Sequence, residues 1–141
     1  MTNMLSSDYK TTTIYYVEKP HAVYYLEGGL IEEFIPDLFI PFDITKDDAV
    51  YIQFDGNIVL GSADTNSVII SLKIDGIAID RYVMPRAETG IIVSVFPVSL
   101  QYYNDSSTVE EHAVSVYATS NGGSNENYIF MSTLLVQIIK N

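Results

Sequence analysis

Residues 67–84 read SVIISLKIDGIAIDRYVM, two runs of alternating apolar and polar residues on either side of Asp75-Gly76. An Asp-Gly pair between such runs is a strong hairpin signal, because both residues tolerate the positive φ of a two-residue turn. We therefore predict a β-hairpin with its turn at Asp75 and Gly76. The expected cross-strand pairs are Ile74 with Ile77, Leu72 with Ile79, Ile70 with Arg81 and Ser71 with Asp80, with Lys73 diagonal to Asp80.

The same strand pattern recurs along the chain. Runs of β-branched and aromatic residues predict further strands at TTTIYYV, AVYYL, AVYIQF, IVL, GIIVSVFPVSLQYY, HAVSVYAT and YIFMSTLLVQIIK. In HAVSVYAT, alternation puts Ala113, Ser115 and Tyr117 on one face and Val114, Val116 and Ala118 on the other. We count eight to ten strands, which is typical of a β-sandwich or barrel.

Glycine and proline mark the interruptions between these runs. Lys19-Pro20 is expected to break the first ladder, Asp55-Gly56-Asn57 to form a turn, and Pro97 to mark a bulge or an edge position. Residues 28–41 carry Pro36 and Pro41 and are predicted to be a crossover, in which LIEEF is either one helical turn or an extended segment reaching the other sheet.

Together these signals predict one all-β domain, an antiparallel two-sheet jelly-roll sandwich over residues 11–141. Residues 1–10 are polar and unpatterned, and we expect them to form a flexible arm that the fold does not need but that attaches the protein to a larger assembly.

Composition restricts the partners. Hydrophobic residues make up 48% of the 141 residues and charged residues only 18%, so we expect other subunits to cover part of the apolar surface. The net charge of -11 and the scattered Lys and Arg residues argue against nucleic acid and against an anionic membrane surface. Without cysteine, signal peptide or long apolar run, the chain is expected to fold in a host cytoplasm.

Signatures of catalysis are missing from the sequence. It has no Gly-x-Ser-x-Gly elbow, phosphate loop, His-Glu-x-x-His motif or cysteine nucleophile. His112 follows Glu110-Glu111, where it is either a base or, as we favour, a strand-entry residue on a solvated edge; His21 is interpreted as a turn residue. The eighteen carboxylates permit glycoside hydrolysis without supporting it. We predict a protein that is not an enzyme and uses no cofactor.

Three short acidic clusters offer hard oxygen ligands of the kind that calcium prefers. They are Asp43 with Asp47 and Asp48, Asp55 with Asn57, and Asp64 with Asn66. Turns select Asp and Asn for backbone reasons, and we favour that explanation over a metal site.

Eleven tyrosines include the adjacent pairs Tyr15-Tyr16, Tyr24-Tyr25 and Tyr102-Tyr103. In a strand each pair sends one ring into the core and one outward, where it either stacks on a sugar or contacts a neighbouring subunit. We favour the subunit contact, and the predicted contact residues are Tyr15, Tyr24, Tyr102, Tyr103 and Tyr117.

Four motifs in residues 48–141 carry a family resemblance: SVIISLKIDGIAIDR, a hydrophobic strand ending in SLQYY, EEHAVSVYATSNGG, and LLVQIIKN. This part of the chain resembles the C1q- or tumour-necrosis-factor-like jelly-roll heads of phage and other viral structural proteins. Glu110-Glu111 stand where the family pattern often has glycine.

The resemblance implies a non-catalytic homotrimer in a virion, in contact with other capsid or virion proteins. Because only about ten polar residues precede the first strand, the chain looks more like a capsid auxiliary or decoration protein of a phage head than a whole fibre. The alternative is a receptor- or carbohydrate-binding domain at a fibre or tail tip.

Overall fold

A computed structural model describes residues 12–45, 48–61, 67–83 and 94–140. The described residues form eight strands and no helix, so none of them belongs to a helix that could span a membrane. The strands are β1 (Thr12–Tyr25), β2 (Glu32–Asp43), β3 (Ala49–Leu60), β4 (Val68–Ile74), β5 (Ile77–Val83), β6 (Ser94–Asn104), β7 (Glu111–Ser120) and β8 (Tyr128–Ile139). The predicted arm, residues 1–10, lies outside the described residues.

The eight strands form two antiparallel four-stranded sheets. Sheet A has the order β1-β8-β3-β6 and sheet B the order β2-β7-β4-β5. Thus β1 pairs with β8, β2 with β7, β3 with β6 and β4 with β5, as if one long hairpin had been rolled into two layers. This is the predicted jelly-roll sandwich, with β1 and β6 at the edges of one sheet and β2 and β5 at the edges of the other.

The core lies between the two sheets and is built by alternation along the inner strands. In β8 every second residue from Ser132 to Ile138 is buried, and β3 alternates in the same way from Val50 to Ile58. Sheet B contributes Val114, Val116 and Ala118, the face that alternation predicts. Because each of these strands buries the side chains of one face only, two sheets packed face to face can enclose all of them in one core.

The Asp75-Gly76 hairpin differs from the predicted register after its second pair. Ile74 lies opposite Ile77 and Lys73 opposite Ala78. A bulge then shifts the ladder, so that Leu72 faces Asp80, Ser71 faces Arg81 and Ile70 faces Tyr82. Ile79 is the extra residue. The predicted pairs of Leu72 with Ile79, Ile70 with Arg81 and Ser71 with Asp80 are therefore wrong, because one unpaired residue moves every later pair by one position.

The predicted turn at Asp55-Gly56-Asn57 is also wrong, since β3 continues through it and Gly56 lies opposite Val98 of β6. A Cβ on Gly56 would lie 2.8 Å from the ring of Phe54. The glycine thus makes room for a core aromatic ring in a strand. The irregularity here falls on β8, where the ladder shifts and Met131 has a φ of 52°.

Prolines and bulges shape the two strands that enter the sandwich. The described part of TTTIYYV, from Thr12 on, and AVYYL form one strand, β1, whose ladder shifts between Lys19 and Val23 as the Lys19-Pro20 break predicts. In LIEEF, Leu30 lies in a turn at a φ of 63° and Glu32–Phe34 begin β2, so the helical alternative is wrong. Because β2 and β6 are edge strands, Pro36, Pro41 and Pro97 are accommodated without loss of an interior hydrogen bond.

Candidate functional site

A groove of about 680 Å³ opens on the outer face of sheet B. This volume is within the usual range for ligand pockets. The lining combines three aromatic rings, two carboxylates and three small residues: Phe34, Phe39, Tyr117, Asp37, Asp75, Gly76, Ala113 and Ser115. We call this set the outer groove.

The floor of the outer groove comes from the outward face of β7. Ala113 and Ser115 are small, so the surface between β2 and the β4–β5 turn stays deep. Tyr117 ends the floor, and its ring lies 5.7 Å from that of Phe34, in a tilted arrangement. Phe39 pairs with Ser115 across the ladder and forms the side wall.

The wall formed by β2 depends on a wide bulge. Phe34 pairs with Tyr117 and Phe39 with Ser115. Between these two pairs β2 has four residues, whereas β7 has only one. Asp37 lies within the bulge at a φ of 70°, a left-handed conformation that aspartate tolerates better than most residues. Its carboxylate lies at the rim, 3.7 Å from the Lys19 ammonium.

A lysine that is not part of the lining contacts one of the rings of the outer groove. The Lys73 ammonium lies 4.3 Å from the centroid of the Tyr117 ring, within the range of a cation–π contact. It also forms an ion pair with Glu32 on β2. The Tyr117 ring thus already contacts a cation of the same chain.

Asp75 docks the β4–β5 turn onto β7. Its backbone N–H donates to the Ala113 carbonyl at 2.9 Å, and its Oδ1 accepts the Ala113 N–H at 2.9 Å. Its Oδ2 lies 2.7 Å from Nδ1 of His112. Burial opposes ionisation here, but the hydrogen bonds from His112 and Ala113 outweigh it and lower the pKa of Asp75.

His112 is buried, which corrects the prediction of a residue on a solvated edge. Its Nε2 donates to the Thr108 carbonyl at 2.9 Å, and its ring stacks on Phe42 at 5.6 Å. Because a carbonyl and an ionised carboxylate only accept hydrogen bonds, these two contacts favour the form of the ring that carries a proton on both nitrogens. Burial lowers the pKa of His112, but the bonds to Thr108 and Asp75 and the charges of Asp75 and Glu110 outweigh it and raise that pKa.

A second cavity, of about 360 Å³, lies on the other side of this pair. It opens beside the loop after β6 and is lined largely by apolar and hydroxyl side chains, among them Ile77, Ile79, Tyr102 and Thr108. Asp75 contributes to both cavities. The Asp75–His112 pair therefore stands between the outer groove and the loop of residues 105–110.

The five predicted contact tyrosines fall into three groups. Tyr15 and Tyr103 are exposed on the edge strands β1 and β6. Tyr24 and Tyr102 pack against the core, so the outward rings of those two pairs are Tyr25 and Tyr103. The prediction that the rings of Tyr24 and Tyr102 point outward is therefore wrong. Tyr117 faces the outer groove.

Two carboxylates of the predicted acidic clusters, Asp48 and Asp55, make structural contacts within the chain. The buried Asp48 carboxylate accepts hydrogen bonds from the Thr45 N–H at 2.8 Å and the Thr45 hydroxyl at 2.6 Å, and pairs with Lys140 at 2.9 Å. Asp55 accepts from Gln53 at 2.7 Å. Asp47, Asp64 and Asn66 lie outside the described residues, among which no three His, Asp or Glu groups converge. His21 lies within β1, not in a turn.

No family model matches the chain, and no curated protein matches it. Solved structures do. The chain is similar to part of dimeric latent PorU from Porphyromonas gingivalis, with a TM-score of 0.55 and 10% identity over 94% of this chain. It spans 13% of the length of that protein.

Two further solved structures match with TM-scores below 0.5. With Bacillus endospore appendages that form disulfide-linked pili, the TM-score is 0.39 and the identity 13%, over 94% of this chain and 90% of that one. With the VP2 subviral particle of infectious bursal disease virus, the TM-score is 0.43 and the identity 10%, over 92% of this chain and 33% of that one. At such identities a likeness shows the fold alone.

Sequence reasoning found five of the eight residues that line the outer groove. Alternation in HAVSVYAT placed Ala113, Ser115 and Tyr117 on one face, and the Asp-Gly signal placed Asp75 and Gly76 in a turn. Phe34, Asp37 and Phe39 were missed, because the crossover from Gly28 to Pro41 has no regular period. The pairing of Phe34 and Phe39 with β7 had no local signal in the sequence.

Proposed function

We propose that the chain is a non-enzymatic structural protein that assembles through the apolar edge of sheet A, forming a homotrimeric capsid auxiliary or decoration protein on a phage head. One observation carries the proposal. Five large apolar side chains of β1 are exposed at the edge of the sheet: Ile14, Tyr15, Tyr16, Val23 and Tyr25. Exposed sheet edges are usually short or charged, because an open edge pairs readily with another chain.

Apolar side chains also lie beside this edge, on the outer face of sheet A. Tyr16 pairs with Leu135 of β8, and both lie on the outward face because their neighbours Val17 and Leu134 face the core. Farther along, the Tyr25 ring lies 5.2 Å from that of Tyr128. Apolar side chains at and beside an open sheet edge support an interface between copies, for which a stable complex would bury roughly 2,000 Å² or more.

The contacts of His112 support the non-enzymatic part of the proposal. Both ring nitrogens already donate to Asp75 and Thr108, so neither is available as a general base. The resemblance to viral jelly-roll heads supports the location in a virion and the trimer.

Light scattering coupled to size exclusion tests the assembly. We expect three times the 15.7 kDa chain mass at micromolar concentration. Tyr16→Glu, at a side chain 64% exposed, should shift the mass to that of the monomer, because it adds a charge to the contact. Val109→Glu is the matched control, at 65% exposure in the loop before β7, and should remain trimeric. A monomeric wild-type protein would refute the trimer.

Binding to capsids that lack the protein tests the virion role. Purified wild-type protein should bind such capsids and co-sediment with them, while Tyr16→Glu should bind less if the trimer is the binding form. Absence of the protein from purified virions by mass spectrometry would contradict this role.

The second candidate is a receptor- or carbohydrate-binding domain at a fibre or tail tip. The observation that favours it is the outer groove, where aromatic rings and carboxylates share one open concavity. A glycan array distinguishes the two functions, because saturable binding that Phe39→Ala abolishes would favour the tip domain over decoration.

A further inference from the structure

We propose that the outer groove binds the side chain of a lysine or arginine presented by a partner protein. The lining residues contain three aromatic rings and two carboxylates but no positively charged group. Such a surface accepts hydrogen bonds and cations and supplies few donors. The site goes beyond the proposed assembly surface, since it lies on sheet B and the apolar edge belongs to sheet A.

The same chain already shows the interaction that we infer. Lys73 places its ammonium 4.3 Å from the centroid of Tyr117 and pairs with the carboxylate of Glu32. A ring face and a carboxylate together therefore hold a cation at the margin of the groove. Phe34, Phe39 and Asp37 repeat that combination on the β2 wall. An incoming cation there would meet the same two kinds of group.

The Asp37 carboxylate is open to a second partner. It is 64% exposed, and its contact with Lys19 at 3.7 Å is an exposed ion pair of the kind that contributes little. It lies in the bulge of β2, at a left-handed backbone position, and lines the groove together with Asp75. The Asp75 carboxylate is already paired with the His112 ring and the Ala113 N–H, so Asp37 is the carboxylate of the groove that is open to a cation.

The aromatic walls favour a long basic side chain over a small cation or a neutral sugar. Phe34 and Phe39 are each nearly half exposed, and the methylene stem of lysine or arginine would cover them while the charged head reaches the rim. A metal ion or ammonium would leave both rings in water. The net charge of -11 also attracts a basic partner to the protein surface.

The test uses the peptides acetyl-Gly-Lys-Gly-amide and acetyl-Gly-Arg-Gly-amide, titrated into isotopically labelled full-length protein at physiological ionic strength and followed by NMR. Signals of Phe34, Phe39 and Tyr117 should shift first and saturate. Asp37→Asn should weaken binding at least threefold. Glu18→Gln is the matched control, because it removes one charge from an exposed position on β1 of the opposite sheet, and should bind as wild type.

A second pair of variants tests the apolar wall. Phe39→Ala should weaken binding, whereas Val95→Ala, at a similarly exposed residue of β6, should not. The proposal is overturned if acetyl-Gly-Gln-Gly-amide binds as tightly as the lysine peptide, if the shifts spread over the whole surface, or if Asp37→Asn and Glu18→Gln weaken binding equally. These outcomes do not depend on the oligomeric state, so failure here leaves the trimer test intact.

Discussion

His112 and Asp75 lie 37 positions apart in the chain, yet Nδ1 of the imidazole donates to Oδ2 of the carboxylate at 2.7 Å. The pair joins the start of strand β7 to the turn between β4 and β5. Since β7 is a central strand of sheet B, the contact fixes the position of a solvent-facing turn relative to the core. One rim of the outer groove depends on it.

Stability should depend on pH through this pair. The pKa of His112 is raised by folding, so its contribution is fully present below the unfolded value of 6.5 and is lost as the pH rises through the folded pKa. We expect the melting temperature to fall as the pH rises above 6.5. His112→Gln should lose this dependence and be less stable than wild type at pH 6. Equal slopes for both proteins would show that the imidazolium does not form.

Gly76→Val should destabilise the protein by about 1–3 kcal/mol. Gly76 has a φ of 82°, and nothing lies within 4 Å of a Cβ placed there, so the cost is backbone strain without a steric clash. Gly76→Asn is the control, because asparagine tolerates positive φ, and it should cost much less. Chemical unfolding measures both. If both variants lost the same stability, the volume of the side chain and not the positive φ of the turn would cause the loss.

Asp48→Ala should cost about 1–3 kcal/mol, since it leaves the Thr45 N–H and hydroxyl without their acceptor in a buried site. It also leaves the Lys140 ammonium without its carboxylate. Asp43→Ala, at an exposed residue nearby, should change stability by less than about 0.5 kcal/mol. Urea unfolding of the two variants makes the comparison, and indistinguishable midpoints would rule out a structural role for Asp48.

Calcium should not stabilise the fold. In the cluster of Asp43, Asp47 and Asp48, the Asp48 carboxylate already binds Thr45 and Lys140, and the Lys140 ammonium occupies the position that a cation would need. Thermal unfolding in calcium and in chelator should therefore overlay. A shift of several degrees with calcium would show binding by mass action and reopen the metal hypothesis.

Local patterns predicted the strands well and the connections between them less well. Alternation from Ala113 to Ala118 assigned each residue to its observed face, because the two-residue period of a strand is a local property. The pairing of Leu72 was predicted one position out, because the bulge at Ile79 has no sequence signal that distinguishes it from a regular pair. Asp55-Gly56-Asn57 resembled a turn, since the space that Phe54 requires beside Gly56 cannot be read from the chain.

The sequence by itself determined that the chain is all-β, that a turn lies at Asp75-Gly76, and that the protein is acidic and rich in apolar residues. These are properties of neighbouring residues and of composition. Only the tertiary structure decided that Asp75 meets His112, that β1 lies at an open edge, and that Phe34 and Phe39 face Tyr117 across a groove. The reason is physical: those contacts join residues from strands distant in sequence, and the bulges that align them arise when two sheets pack around one core.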